Sequence, residues 1–344
     1  MANSITSFYQ TVVTAAVEAS QLLAPTWKAL ESIYWDYRPE EAALGQTLNV
    51  PIPGDPTSSV TDMGAGDIVL SDIGFSTTPI IFNRHPAYAY VVRDFEQFNS
   101  PEMIRRVFMD AAMKGVKNQI NQAVCNLFTT AAQPAGLGTG ANGIPGNSSI
   151  SCTSHVVTVP QFLQGMSVLA KQNVPVANDP QNMHFLLYPD PYMSLMDGTT
   201  GGSGAAWNQA FIAGGVTAEY VHKRGDMPTS YGMTVRLDQQ MPSTVPGGGS
   251  GTSTGVYMHR YAIAGVTRPL PKPDEKVVDY TYVNFSANAM YGETFGDGTE
   301  PAFPIRVMVG YNQYPKQGYI VSIDAGYGLS VVRPNMAQIF SIAY

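Results

Sequence analysis

Residues 82–108, FNRHPAYAYVVRDFEQFNSPEMIRRVF, concentrate charge in a chain that otherwise carries little of it. Only 13% of the 344 residues are Asp, Glu, Lys or Arg. Five titratable side chains stand close together on or beside the strand-like run YAYVVRDFEQF: Arg84, His85, Arg93, Asp94 and Glu96. Such a cluster is either an active site or a charged joint between a strand and the element that follows it.

The element that follows is predicted to be a long helix. Ser100 is a suitable N-cap, Pro101 suits the first helical position, and Glu102 places an acid in the first turn. Apolar or small residues then mark one face: Ile104, Val107, Phe108, Ala111, Gly115, Ile120, Val124, Leu127 and Phe128. Four basic residues lie off this face: Arg105, Arg106, Lys114 and Lys117. The pattern predicts a helix from residue 101 to about residue 132.

A catalytic role for this charged cluster can be weighed against a structural one. Asp94 and Glu96 would share one face of a strand and could act as acid and base. However, Arg93 adjoins them and a helix N-terminus follows, where acidic residues are favoured without any catalytic role. The sequence has no GKS/T phosphate loop, no GxSxG elbow and no pair of histidines at helical i, i+4 spacing. We therefore predict no catalytic residue, no metal site and no cofactor.

Composition narrows the class of protein. The net charge of −7 and pI near 5.2 leave no broad basic face, so sequence-specific reading of nucleic acid is not expected. Passive contact with DNA through a few arginines stays open. Cys125 and Cys152 form no CxxC pair, which fits a reducing cytoplasm. The first 25 residues predict an amphipathic helix ending near Pro25, and no apolar run reaches the ~20 residues needed to cross a bilayer.

Residues 45–82 predict a long antiparallel hairpin. Alternating patterns at 47–50 and 68–71 flank a segment rich in Gly, Pro, Ser, Thr and Asp. A hairpin of this length is marginal alone and needs a neighbouring surface. Further along, residues 134–154 and 242–255 are predicted loops. A second amphipathic helix is predicted to stop at Pro175, and β patterns dominate from Lys276, so the fold class is α+β.

The order of these parts resembles the major capsid proteins of tailed double-stranded-DNA bacteriophages, whose fold is shared with herpesvirus capsid floors and encapsulins. GQTLNVPIP and VTDMGAGDIVLSDIGFSTTPIIFN resemble the family's extended loop, and YAYVVRDFEQF with the helix after Ser100 resembles its peripheral domain. FLQGMSVLAKQNVP, HFLLYPDPYMSLMD, YGMTVRLDQQMP and YMHRYAIAGVTRPLPKP resemble its axial domain. IRVMVGYN and IDAGYGLSVVRP resemble the closing strands.

The resemblance implies a division of the chain into six segments. These are an N-terminal arm at 1–44, an extended loop at 45–82, a peripheral domain at 83–157 with the spine helix 101–132, an axial domain at 158–267, peripheral return strands at 268–317, and C-terminal strands joining the axial domain at 318–344. The implied job is structural, not enzymatic: hexamers and pentamers that close into an icosahedral shell around double-stranded DNA.

The resemblance also suggests partners and contacts. The partners are other copies of the chain, separate scaffolding, portal and cementing proteins, and packaged DNA in passive contact, with no membrane. The implied location is the virion capsid, assembled in the cytoplasm of a bacterial host. Candidate subunit-contact residues come from the charged joint and the helix start: Arg84, Arg93, Asp94, Glu96, Arg105 and Arg106.

Two departures from some relatives lead to further expectations. Only a short arm precedes residue 45, so no large cleaved pro-segment is expected. Residues 45–82 contain no lysine, so no lysine–asparagine crosslink from this loop is expected. Three rival interpretations remain at this point: an encapsulin, another phage shell or tail subunit, and a hydrolase that uses Asp and Glu pairs assembled from distant positions.

Overall fold

The fold follows from a computed structural model of the 344-residue chain. The residues that it describes are 12, 28–35, 47–53, 75–93, 101–128, 149–153, 156–196, 229–230, 233–244, 251–273, 278–285, 303–312 and 318–343. Of the predicted N-terminal helix only Val12 is described, and it is helical and buried. The predicted strand at 68–71 and the residues Asp94 and Glu96 lie outside the described residues.

Three α-helices are described: α1 (Pro101–Cys125), α2 (Val159–Lys171) and α3 (Pro189–Met196). Helix α2 begins with a capping box, in which Thr158 and Gln161 bond reciprocally through side chain and backbone. Helix α1 is the spine of the molecule. Its α-helical geometry ends at Cys125, short of the predicted end near 132, and one 3-10 turn from Asn126 to Phe128 follows.

The first large sheet packs against the spine helix. Its strands are β3 (Ala87–Arg93), β9 (Ile263–Arg268), β10 (Asp279–Phe285), β11 (Phe303–Asn312) and β12 (Gly318–Val331). The order is β10-β11-β12-β3, all antiparallel, and the C-terminal half of β12 leaves this path to pair with β9. The 14-residue strand β12 therefore pairs with β11 and β3 along its N-terminal part and with β9 along its C-terminal part.

The second large sheet has six strands: β4 (Ile150–Cys152), β5 (Met183–Leu187), β6 (Thr229–Ser230), β7 (Met233–Leu237), β8 (Thr252–His259) and β13 (Ala337–Ala343). The order is β4-β13-β8-β5-β7-β6. Two elements correct the sequence predictions, because β4 lies within the predicted 134–154 loop and β8 begins inside the predicted 242–255 loop. Both form by pairing with β13, whose residues lie 79 to 91 positions from their partners in β8 and 190 from those in β4, so local composition does not reveal the pairing.

Strands β1 (Thr47–Pro53) and β2 (Phe75–Ile81) form the described part of the hairpin and pair only with each other among the described strands. Its three prolines, Pro51, Pro53 and Pro79, all fall in the same alternate set of register pairs. A residue without an N–H fits where the N–H would point away from the partner strand. The prolines thus remove donors from both outer edges, which disfavours edge-to-edge pairing with other strands.

The spine helix buries the predicted face only in its C-terminal half, where Ile120, Val124 and Phe128 are buried. The described side chains at Phe108, Ala111 and Gly115 are exposed, and the buried set is Met109, Ala112, Met113, Val116, Lys117, Ile120, Asn121, Ala123, Val124 and Cys125. The predicted stripe contains a five-residue step from 115 to 120, which rotates the face by about 140° at 100° per residue. Phe108 is 47% exposed yet stacks on Tyr90 with ring centroids 5.7 Å apart.

A close approach at Gly265 ties the short segment 28–35 to β9. Tyr34 N–H donates to the Ile263 carbonyl at 3.1 Å, and Gly265 N–H donates to the Tyr34 carbonyl at 2.7 Å. The Trp35 ring lies directly over Gly265, where a Cβ atom would overlap its six-membered ring. Trp35 is held there by its indole N–H, which donates to the Leu30 carbonyl at 2.8 Å.

Gly265→Ala is expected to lower the free energy of unfolding by about 1–3 kcal/mol, because the added methyl must displace a buried indole. Gly115→Ala is the matched control, since nothing lies within 4 Å of its Cβ position on the exposed helix face. That control should be stabilising by up to about 1 kcal/mol. Urea denaturation of both variants measures the difference, and equal midpoints would contradict the packing described at Trp35.

Candidate functional site

The charged joint predicted at 82–108 is partly described. Arg84 and Arg93 are exposed, on the link between β2 and β3 and at the end of β3. Arg105 and Arg106 lie in the first turns of α1, where only the backbone is described. The structure therefore describes four of the six candidate contact residues: Arg84 before β3, Arg93 at its end, and Arg105 and Arg106 at the start of α1.

Arg84 fixes the joint to β12 through its backbone and its side chain. Its N–H donates to the Tyr327 carbonyl at 3.0 Å, and the Tyr327 N–H donates back at 3.0 Å. Burial raises the pKa of the Tyr327 hydroxyl, and the neighbouring Arg84 guanidinium partly opposes that rise by charge and by a side-chain hydrogen bond. Arg84 is thus a structural partner of β12 within its own subunit.

A second ion-pair group at the joint was not predicted from the sequence. The Asp324 carboxylate, 3% exposed, contacts His85 Nε2 at 3.1 Å and receives two hydrogen bonds from Arg306, at 2.9 and 2.5 Å. Asp324 raises the pKa of the Arg306 guanidinium through these hydrogen bonds. The guanidinium also donates to the Pro271 carbonyl. Sequence separation of 239 residues between His85 and Asp324 hides this group from any local pattern.

A polar cleft of about 400 Å³ lies between the joint and the C-terminal part of α1. Its lining residues are Arg84, His85, Pro86, Gln119, Gln122, Ala123, Asn126 and Tyr327. The lining includes cationic and carboxamide groups but no carboxylate. His85 is the one side chain of this lining that commonly acts as a general base, and no Ser, Thr or Cys nucleophile stands beside it in the lining.

A fully buried group of polar side chains is centred on Asp238, just after β7. Asp238 and Asn121 of the spine helix are both 0% exposed. Asn121 Nδ2 lies 3.1 and 3.0 Å from the two carboxylate oxygens and donates to them. The backbone N–H groups of Ala29 and Gln240 each donate to Asp238 at 2.8 Å. The carboxylate therefore joins the N-terminal segment, the spine helix and the second sheet.

Further contacts extend this buried group. The Leu30 N–H donates to Asn121 Oδ1 at 3.1 Å. Glu31 accepts from Arg236 at 2.6 Å and from Lys28 at 3.2 Å. Segment 28–35 is thereby held by charged and neutral hydrogen bonds as well as by Trp35 packing.

Burial raises the pKa of Asp238, and the hydrogen bonds donated by Ala29, Gln240 and Asn121 oppose that rise. A raised carboxyl pKa can mark a catalytic acid. Here the described hydrogen bonds to Asp238 all come from groups of the protein itself, and Asp238 does not line the polar cleft at the joint. Among the described residues, no three His, Cys, Asp or Glu side chains are grouped to hold a metal ion, and no helix is long and apolar enough to span a membrane.

His184 is a buried histidine in the middle of the second sheet, 3% exposed, with no hydrogen-bond partner at Nδ1. Burial holds its pKa well below the ordinary value, and the nearby Arg236, Arg260 and His259 act in the same direction. His259 differs because it bonds at both nitrogens. Tyr261 N–H donates to Nδ1 at 3.3 Å, so Nε2 carries the proton that faces Asp179 at 3.2 Å.

Asp238→Ala is expected to cost about 3–5 kcal/mol of unfolding free energy, because three buried donors lose their acceptor. Amide hydrogen exchange at residues 28–35 should accelerate more than exchange in β13. Asp190→Ala, at an exposed helix start, should cost about 1 kcal/mol or less. Unchanged exchange at residues 28–35 in a folded Asp238→Ala variant would show that Asp238 does not anchor this segment.

The burial of His184 leads to a prediction about how the stability of the fold depends on pH. Its folded-state pKa lies below the unfolded value near 6.5, so the unfolded chain binds more protons below that pH. Stability should therefore fall as pH drops below about 6.5, by up to about 1.4 kcal/mol per pH unit. His184→Leu should flatten this fall in denaturation midpoints measured from about pH 7.5 to 5. Parallel pH profiles for the two proteins would count against a neutral buried His184.

No protein-family model matches this sequence, and no curated protein matches it. The backbone, in contrast, is similar to solved phage capsids. The capsid of cyanophage P-SCSP1u aligns with a TM-score of 0.56 and 13% identity, over 91% of this chain and 87% of that chain. The cyanophage A-1(L) capsid aligns with a TM-score of 0.56 and 10% identity, over 94% of both chains. The mature capsid of bacteriophage PhiM1 aligns with a TM-score of 0.54 and 9% identity, over 93% and 88%.

These alignments cover nearly the whole of both partners, so the likeness concerns the complete fold and not one shared motif. At 9–13% identity the likeness establishes the fold. The predicted α+β class is confirmed. The chain has the fold of tailed-phage capsid proteins.

Proposed function

We propose that this chain is the major capsid protein of a tailed double-stranded-DNA bacteriophage and that its copies form hexamers and pentamers of an icosahedral shell. The observation that carries the proposal is the match of its backbone to phage capsids along 91–94% of its length. In such a shell the six segments predicted from the sequence act as arm, extended loop, peripheral domain, axial domain, return strands and closing strands.

The hairpin supports a role in assembly. Its described strands bury Val50 and Ile80 at one face, against Ala264, Val266 and Val332. Ile81 and the Pro51 and Pro79 side chains stay exposed. A ribbon with proline-blocked edges and exposed apolar side chains is suited to packing by its faces against another subunit. The low charge of the whole chain is consistent with a surface largely covered by neighbours.

Subunit contacts are assigned to the joint as a proposal. Arg93, Asp94, Glu96, Arg105 and Arg106 bracket the strand-to-helix junction in the sequence, and we assign them to contacts between copies. Arg84 contributes by holding the junction to β12. Single exposed ion pairs stabilise by about 0–1 kcal/mol, and a closed shell repeats each of them many times.

The proposal includes partners and place. Separate scaffolding, portal and cementing proteins complete the particle, double-stranded DNA fills it, and assembly occurs in the cytoplasm of a bacterial host. No enzymatic step is assigned to the chain. An encapsulin is the second candidate, because the family resemblance includes that class. It would differ by enclosing a cargo protein bound to the inner wall and no genome.

Negative-stain electron microscopy of the purified chain, expressed alone and with a co-encoded scaffold, tests the proposal. Uniform closed shells, or sheets and tubes of hexamers, are the expected result. Only dispersed particles of about 37 kDa in both preparations would overturn it. The same shells on a denaturing gel should migrate as single chains, because the extended loop has no lysine to form a crosslink. A ladder of covalent multimers would contradict that expectation.

A further inference from the structure

The exposed side of α1 has an unusual composition. Its exposed positions among the described side chains are Phe108, Ala111, Lys114, Gly115, Asn118, Gln119 and Gln122. None of them is a carboxylate, although the chain has 26 acidic and 19 basic residues. The one acidic residue nearby on α1, Asp110, is half-buried and is therefore not one of these exposed positions. The result is a helix face that carries one cation and three carboxamides.

This face continues into the polar cleft at the joint. Gln119 and Gln122 belong to both the helix face and the cleft lining. Asn126, in the 3-10 turn that follows α1, lines the cleft with them and with Arg84 and His85. From Lys114 to Asn126 the face extends over about 18 Å at 1.5 Å per residue. The carboxylate that contacts His85 is Asp324, and Arg306 matches its charge through two hydrogen bonds. The exposed polar side chains described from Lys114 to the cleft therefore include no carboxylate.

The chemistry of this strip fits phosphate oxygens. Arginine, lysine and the amides of Gln and Asn are the side chains that commonly donate to the nucleic-acid backbone. A strip about 18 Å long is matched better by a polyanion with regularly spaced charges than by a single acidic side chain from another protein. A contact confined to the phosphate backbone does not depend on the base sequence.

We propose that the Lys114–Asn126 face of α1, with the Arg84 and His85 end of the cleft, is a sequence-independent contact site for the phosphodiester backbone of duplex DNA. The inference rests on the proposed function for its biological setting, since a shell brings many copies of this face near the genome. With few cations per copy the contact is weak and sensitive to salt, which permits DNA to enter and leave.

The binding test uses the unassembled full-length chain and a fluorescent duplex of about 20 base pairs, followed by anisotropy between about 20 and 200 mM NaCl. Gln122→Glu places a negative charge on the face without removing a structural contact seen in the described residues. It is expected to weaken binding about three- to tenfold at low salt. The matched control is Gln164→Glu, the same change at an exposed position of α2, which should bind like the unaltered chain.

A second pair of variants removes charge. Lys114→Gln should reduce the slope of log K against log salt by about 1, and Lys171→Gln, exposed on α2, should leave it unchanged. Equal binding by Gln122→Glu and Gln164→Glu, or no measurable binding by the unaltered chain at low salt, would overturn the proposal.

Electron microscopy of the same variants separates this inference from the proposed function. Shells formed by Gln122→Glu that bind DNA less tightly after dissociation support a DNA-contacting face. Loss of shells with unchanged DNA binding would instead make the face a contact between subunits, and would refute the DNA site. If the unaltered chain forms no shells yet binds DNA through this face, the shell proposal fails and the contact site stands.

Discussion

The buried carboxylate of Asp238 holds together three parts of the chain that are far apart in sequence. It accepts hydrogen bonds from Ala29 in the N-terminal segment, Asn121 in the spine helix and Gln240 beside β7. A charge removed from water is tolerated only when its oxygens are fully hydrogen-bonded, so these donors must all be in place at once. This one acceptor therefore fixes the spine helix against the second sheet in addition to the apolar core that they share.

The body of the fold and the hairpin are held in place by different kinds of contact. The two sheets share the apolar core around α1, and the long strand β12 links the β3 edge to β9. The hairpin β1–β2 instead packs by a small apolar cluster at its base and presents edges without the donors that prolines remove. The core is held by buried hydrogen bonds, and the hairpin can contact other subunits. This arrangement suits repeated assembly.

Charge is sparse, and the structure uses most of the described buried charge internally. Glu31 pairs with Arg236, and Asp324 pairs with Arg306. These pairs satisfy groups that would be costly to bury alone. What remains on the outer side of α1 is a face of amides and a lysine, which gives this helix a different character from the acidic chain as a whole.

Local sequence patterns were sufficient to determine the α+β class, the spine helix starting at Pro101, helix α2 and the strands after Lys276, because hydrophobic spacing and capping residues act over a few positions. The resemblance of their order to phage capsid proteins likewise came from the sequence. Only the tertiary structure decided which face of α1 is buried, that His85 meets Asp324, and that Asp238 is an anchor. Strands β4 and the start of β8 were missed for the same reason: each depends on a partner from a distant part of the chain, and such pairing leaves no local signature.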